Sequence, residues 1–112
     1  MTHSAINRTG LVHDPSALGH DTGSDHPECP ARYAHALAAL QDCDFFEQLI
    51  ELAPREAQRG EIATCHTLNY IDLARNEIQH GFTQLSTGDT ALSFNSWETA
   101  LKSAGAPLTA ID

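Results

Sequence analysis

At 112 residues the chain has room for one small domain, which could bury roughly two-thirds of its unfolded surface if it closed on itself. Fifteen acidic residues against six basic ones give a net charge of −9 with histidine neutral, which argues against nucleic acid, because phosphates need clustered Lys and Arg. No apolar run approaches the about 20 residues needed to cross a bilayer, and Met1 to Gly10 carries no apolar leader core, so the expected location is the cytoplasm. The three cysteines, Cys29, Cys43 and Cys65, are odd in number and form no CxxC, which points to reduced structural thiols.

Thr9 to His13 is a short strand candidate closed by Asp14-Pro15. Residues 14 to 29, rich in Gly, His, Asp and Pro, read as a long loop. Pro30 suits the first turn of a helix, where its missing N–H is not needed. Tyr33, Leu37 and Leu40 then fall on one stripe at helical spacing. Asp44 to Gln48 adds a helical turn before a second strand, Leu49 to Ala53, which Pro54 ends. Glu56 to Cys65 is weakly helical. Thr67 to His80 is a clearer helix, with Leu68, Ile71, Ala74 and Ile78 as its buried face and Gly81 as its C-terminal cap. After a polar loop from 81 to 93, Asn95 and Glu98 have capping-box spacing. The helix that starts at Ser96 should bury Trp97, Ala100, Leu101 and Ala104, and Pro107 should break or kink it. Strand, helix, strand, helix, helix is an α/β pattern with a parallel sheet. Two strands are too few for such a sheet, so residues 1–112 read as a single partial domain.

Four groups invite chemistry. The stretch His13-Asp14, His20-Asp21 and Asp25-His26-Pro27-Glu28-Cys29 holds the side chains that bind zinc. It lacks the tight spacing of zinc sites, so a loop that caps helices and bonds its own backbone is the better reading. Cys65-His66 suggests a thiol and its base, but adjacent helical residues do not face each other. Asp89, in Thr87-Gly-Asp-Thr90, is a turn aspartate or a rim carboxylate that accepts substrate amides. Arg32 is a solvated arginine or a fixed charge that lines a polar channel.

Taken in order, these segments resemble the start of the histone deacetylase superfamily. Thr9-Gly-Leu-Val-His-Asp-Pro15 is similar to its first strand. His20 with His26-Pro-Glu-Cys-Pro-Ala-Arg32 resembles its HPExPxR segment. Cys65-His66-Thr67 with Tyr70-Ile71 resembles a helix start of the family. Gly88-Asp-Thr-Ala-Leu-Ser93, with Ser96-Trp97 and Ala104-Gly-Ala106, resembles its DT loop and the helix after it. The similarity runs from about Thr9 to Asp112 and is nearest in style to class II-like bacterial members, including acetylpolyamine amidohydrolases.

The resemblance implies an arginase-like three-layer α/β fold with a parallel sheet, incomplete in this chain. It implies hydrolysis of an acyl-amide, on an acyl-lysine protein or an acylated polyamine, by zinc-activated water. By resemblance, Arg32 belongs to the internal channel and Asp89 to the rim that holds the substrate backbone, while His20, His26 and Pro27 shape the loop. The acidic balance suits such basic substrates. The chain has no His-His pair and no DxDxHHGNG-type segment, and it lacks the family's later aspartate ligand and catalytic tyrosine. The expectation is therefore an N-terminal piece with no catalytic residue and no zinc of its own, inactive alone. Such a piece is expected to self-associate or to dock on a C-terminal complement. Cys29 and Pro107 depart from the residues more usual at their places.

Overall fold

Thr9–Val12 (β1) and Leu49–Leu52 (β2) pair in parallel, with Thr9 opposite Leu49 and Val12 opposite Leu52, in a computed structural model that describes residues 8–112. The leader reading of Met1 to Gly10 lies mostly outside the described residues. Parallel pairing requires a crossover connection. Pro30–Gln41 (α1) supplies it, with Pro30 at the helix start and Tyr33, Leu37 and Leu40 half-buried on one stripe. Short 3₁₀ turns, Pro15–Gly19 and Phe46–Gln48, flank this unit. The sheet and its helices match the α/β expectation.

The remaining helices are Arg59–Ile62 (α2), Leu68–Gln79 (α3) and Ser96–Ile111 (α4). The Thr67 hydroxyl accepts the Tyr70 N–H and starts α3. Gly81, at φ +81°, ends it: the Phe82 N–H reaches the Glu77 carbonyl and the Gly81 N–H the Ile78 carbonyl, the paired bonds of a Schellman cap. Ile78 is buried with Leu85 and Leu92, and Ala74 and Trp97 pack against them.

Several expectations are corrected. The weak helix over 56–65 shrinks to the four residues of α2. Leu68 is 51% exposed, because the helix has only just begun there and no element covers its first turn. No capping box forms at Asn95 and Glu98. Asn95 has helical dihedrals, its side chain makes no cap bond, and it packs against Gly19 instead. Glu98 pairs with Lys102 one turn on. Ala100 and Ala104 are exposed, and α4 buries Ser96 and Gly105 in their place. Pro107 sits inside α4 without ending it. The Ser103 carbonyl that loses its i+4 donor lies on an exposed residue, where water can serve it.

The segment from 53 to 58 is stitched to α4. The Arg55 N–H donates to Thr109 Oγ1 at 3.0 Å and the Ala57 N–H to the Leu101 carbonyl at 3.0 Å. Arg55 itself makes a two-pronged pair with Glu61, at 2.8 and 2.7 Å, and a third bond to Asp112 at 3.2 Å. Those bonds from Arg55, with the Gln58 N–H second, hold the Glu61 carboxyl down at about 2.

The molecule is thin, with extents of 56 × 34 × 17 Å. Its accessible surface is 7711 Å², where a compact monomer of this mass has about 6,000 Å². Among the described residues no large side chain is fully buried, and Phe94, Phe82, Ile50 and Leu52 are exposed. Two parallel strands with uncovered apolar residues are what a wider sheet would bury.

Candidate functional site

The loop before α1 is held by its own polar side chains. Asp14 accepts the Ser16 N–H at 2.7 Å, which with Lys102 holds its carboxyl below the usual carboxylate range. Asp25 takes a left-handed φ of +62°, which Asp tolerates better than most residues. His26 Nδ1 accepts the Glu28 N–H at 3.0 Å, so His26 and Pro27 shape the turn that leads into Pro30.

His20 sits at the centre of the loop's tie to α4. Its Nδ1 lies 2.6 Å from Ser96 Oγ and its Nε2 3.0 Å from a Glu28 carboxylate oxygen. The Ser96 oxygen also accepts the Ser93 N–H at 2.8 Å. Ser93 Oγ donates to the Gly19 carbonyl at 3.1 Å and accepts the Asp21 N–H at 2.9 Å. His20 thus bridges the Ser96 hydroxyl and the Glu28 carboxylate through its two ring nitrogens. Glu, His and Ser are the residue types of a nucleophilic relay. Here the Ser96 oxygen is ringed by His20, Ser93 N–H and Ser93 Oγ at 3.3 Å, and the residue is 5% exposed. No side is left for an electrophile, so the relay is a structural tie. It joins residues 76 apart in sequence.

A second tie flanks it. His13 Nδ1 lies 2.6 Å from the Tyr33 hydroxyl and Nε2 3.0 Å from Glu51, joining β1, α1 and β2. Burial, then the charges of Asp14 and Glu51, push the Tyr33 hydroxyl up from its ordinary value. Arg32, one turn into α1, is exposed. It lines an open cleft of about 830 Å³ with His13, Asp14, Tyr33, His35 and Lys102.

Asp89 stands elsewhere. Residues 83–92 fold as a small hairpin: Gln84 bridges Ala91, the Leu85 N–H reaches the Thr90 carbonyl at 2.9 Å, and the Leu92 N–H reaches Thr83 at 2.9 Å. Buried Leu85 and Leu92 anchor it, and Asp89 is exposed in its turn. The cleft at Arg32 does not include Asp89. Between α3 and α4 lies a largely apolar groove of about 660 Å³, lined by Ile71, Ile78, Leu92, Trp97 and Leu101, with the His20–Ser96 tie at one side.

Sequence reading placed His20, His26 and Pro27 in a shaping loop but missed the partners Ser93, Ser96 and Glu51, which no local spacing marks. The Cys65-His66 pair does not act together: Cys65 lies 3.7 Å from the Thr64 hydroxyl, and His66 stacks on Tyr70 with ring centres 5.3 Å apart. Among the described residues no three His, Cys, Asp or Glu side chains gather as a metal site, and no helix is long and apolar enough to cross a membrane.

Comparison with known proteins gives two findings. Residues 26–112 match the profile of a family described as Histone deacetylase domain. The chain is also similar to Histone deacetylase 5 of Arabidopsis thaliana, 30% identical over 71 residues, which are 62% of this chain and 11% of that protein. The matched stretch thus spans about a tenth of that relative's length.

Proposed function

We propose a function from one premise: the chain belongs to the histone deacetylase family, whose profile it matches over residues 26–112. In our reading it is the N-terminal part of a three-layer, arginase-like domain, and residues 1–112 are one partial domain. The complete domain hydrolyses acyl-amides of acetyl-lysine or acetylpolyamine type with zinc-activated water. The family match carries this reading. The placement of Arg32 on an open cleft and of Asp89 on an exposed hairpin turn is compatible with roles in the channel and at the rim.

Among the described residues, the histidines of the loop do not fit zinc. His13 and His20 have both ring nitrogens engaged, and His26 has its Nδ1 engaged, by Tyr33, Glu51, Ser96, Glu28 and backbone. We therefore assign no catalytic step to this chain, and place the metal and the proton-transfer groups on other residues of the complete domain. The thin shape and uncovered apolar side chains support docking against that remainder, in the same polypeptide or a separate one, or self-association. We place the protein in the cytoplasm.

The test is an assay of the purified 112-residue chain supplied with zinc. The expected result is no acetate from an N-acetyl-lysine peptide or an N-acetylpolyamine, and less than one tightly held zinc per chain. Chelator-sensitive acetate release by this chain alone would refute the assignment.

A further inference from the structure

Glu77 has no assigned role, yet it is the fixed point of the hairpin that carries Asp89. Its two carboxylate oxygens are both taken by one residue of the hairpin: Oε1 accepts the Ser86 N–H at 2.8 Å and Oε2 the Ser86 hydroxyl at 2.5 Å. A carboxylate that accepts two bonds from one residue fixes direction as well as distance. Glu77 is half-buried in the last turns of α3, next to buried Ile78. The same turn is locked by the Phe82 N–H on the Glu77 carbonyl. Side chain and main chain of Glu77 therefore hold both the start of the connection and the hairpin it leads to. Within the hairpin, Gln84 Nε2 donates to the Gly88 carbonyl at 2.7 Å and the Gly88 N–H to Leu85 at 3.2 Å, so the turn bearing Asp89 moves with Ser86. Among the described residues the Asp89 carboxylate makes no hydrogen bond, so the hairpin backbone alone sets where it is presented.

We infer that Glu77 is a positioning residue: through Ser86 it aims the Asp89 carboxylate at the amide groups of an acyl-lysine substrate. This rests on the proposed rim role of Asp89. Glu77 itself touches no substrate.

The test follows amide exchange and substrate-induced shifts in the 112-residue chain with Glu77→Ala and Glu77→Gln. In Glu77→Ala, the Ser86, Leu85 and Leu92 amides are expected to exchange about tenfold faster, while the Ile71 amide inside α3 is unchanged. Glu77→Gln, which keeps one acceptor, recovers part of the loss. Titration with an N-acetyl-lysine peptide amide at millimolar concentration is expected to shift the Asp89 amide saturably in the wild type. The shift is expected to disappear in Asp89→Ala and to need at least fivefold more peptide in Glu77→Ala. Unchanged hairpin exchange in Glu77→Ala, or a looser hairpin with unchanged peptide affinity, overturns the role of Glu77 and leaves Asp89's intact. A wild type with no peptide shift overturns the rim reading of Asp89, and the proposal falls with it.

Discussion

Gly105→Ala is expected to lift the 53–58 segment off α4. A Cβ at this position would lie 1.7 Å from the Arg55 carbonyl oxygen and 2.8 Å from its carbon, both backbone atoms that cannot rotate away. The segment has to move by more than 1 Å to regain ordinary contact distance near 3.5 Å. That movement breaks the Arg55 N–H bond to Thr109 and the Ala57 N–H bond to Leu101. Alanine gains about 1 kcal/mol of helix propensity over glycine. Two lost hydrogen bonds at about 1 kcal/mol each, with overpacking of 1–3 kcal/mol, outweigh it. The net cost is about 2–4 kcal/mol, which amide exchange reads as roughly 30- to 700-fold faster exchange at Arg55 and Ala57. Gly60→Ala is the control: no atom lies within 4 Å of its added carbon, and it should be neutral or slightly stabilising. Unchanged exchange at Arg55 and Ala57 in Gly105→Ala would show that the close approach does not exist in solution.

Ser96→Ala is the second large effect. It removes one oxygen and leaves two partners unserved, the Ser93 N–H and His20 Nδ1. A buried donor or acceptor left without a partner costs about 1–3 kcal/mol; because the His20 side chain is partly exposed, the pair here falls at the lower end, about 2–3 kcal/mol. The damage should be local. Segment 14–29 keeps the Ser93 bonds to Gly19 and Asp21, the Thr99 bond to Ser16 and the Lys102 bond to Asp14 as hydrogen-bonded ties to α4 and the residues just before it. Protease cleavage between Gly19 and Glu28 is expected to accelerate at least tenfold, while sites in α3 are unaffected. His20→Ala should produce the same acceleration. The double variant Ser96→Ala, His20→Ala should be little worse than either alone, because each already breaks the shared bond. Additive single effects would mean that the two side chains act separately.

The elements that local chemistry dictates were legible in the sequence. Pro30 starts α1, Gly81 ends α3, and the two short strands pair in parallel. The misreadings share a cause. Asn95 and Glu98 have the spacing of a capping box, but the approach of Gly19 takes Asn95 for packing. The apolar stripe of α4 predicts burial at Ala100 and Ala104, whereas the helix is oriented by Gly105 beneath Arg55. Each is decided by contacts between residues far apart in sequence. The same holds for the site: His20 was placed with His26 and Pro27 in the shaping loop, but Ser96 could not be found as its partner across 76 residues. Family similarity, spread over four motifs in order, reached further than spacing did: it pointed to the family whose profile residues 26–112 match.

The central claim is that this chain is one part of a deacetylase domain whose zinc centre lies on other residues. Reading the source DNA past codon 112 in all three frames tests it most directly. The account predicts that the frame continues, or resumes after a shift, into an adjacent pair of histidines and a DxDxHHGNG-type segment. A stop codon with no such segment downstream in any frame would contradict it.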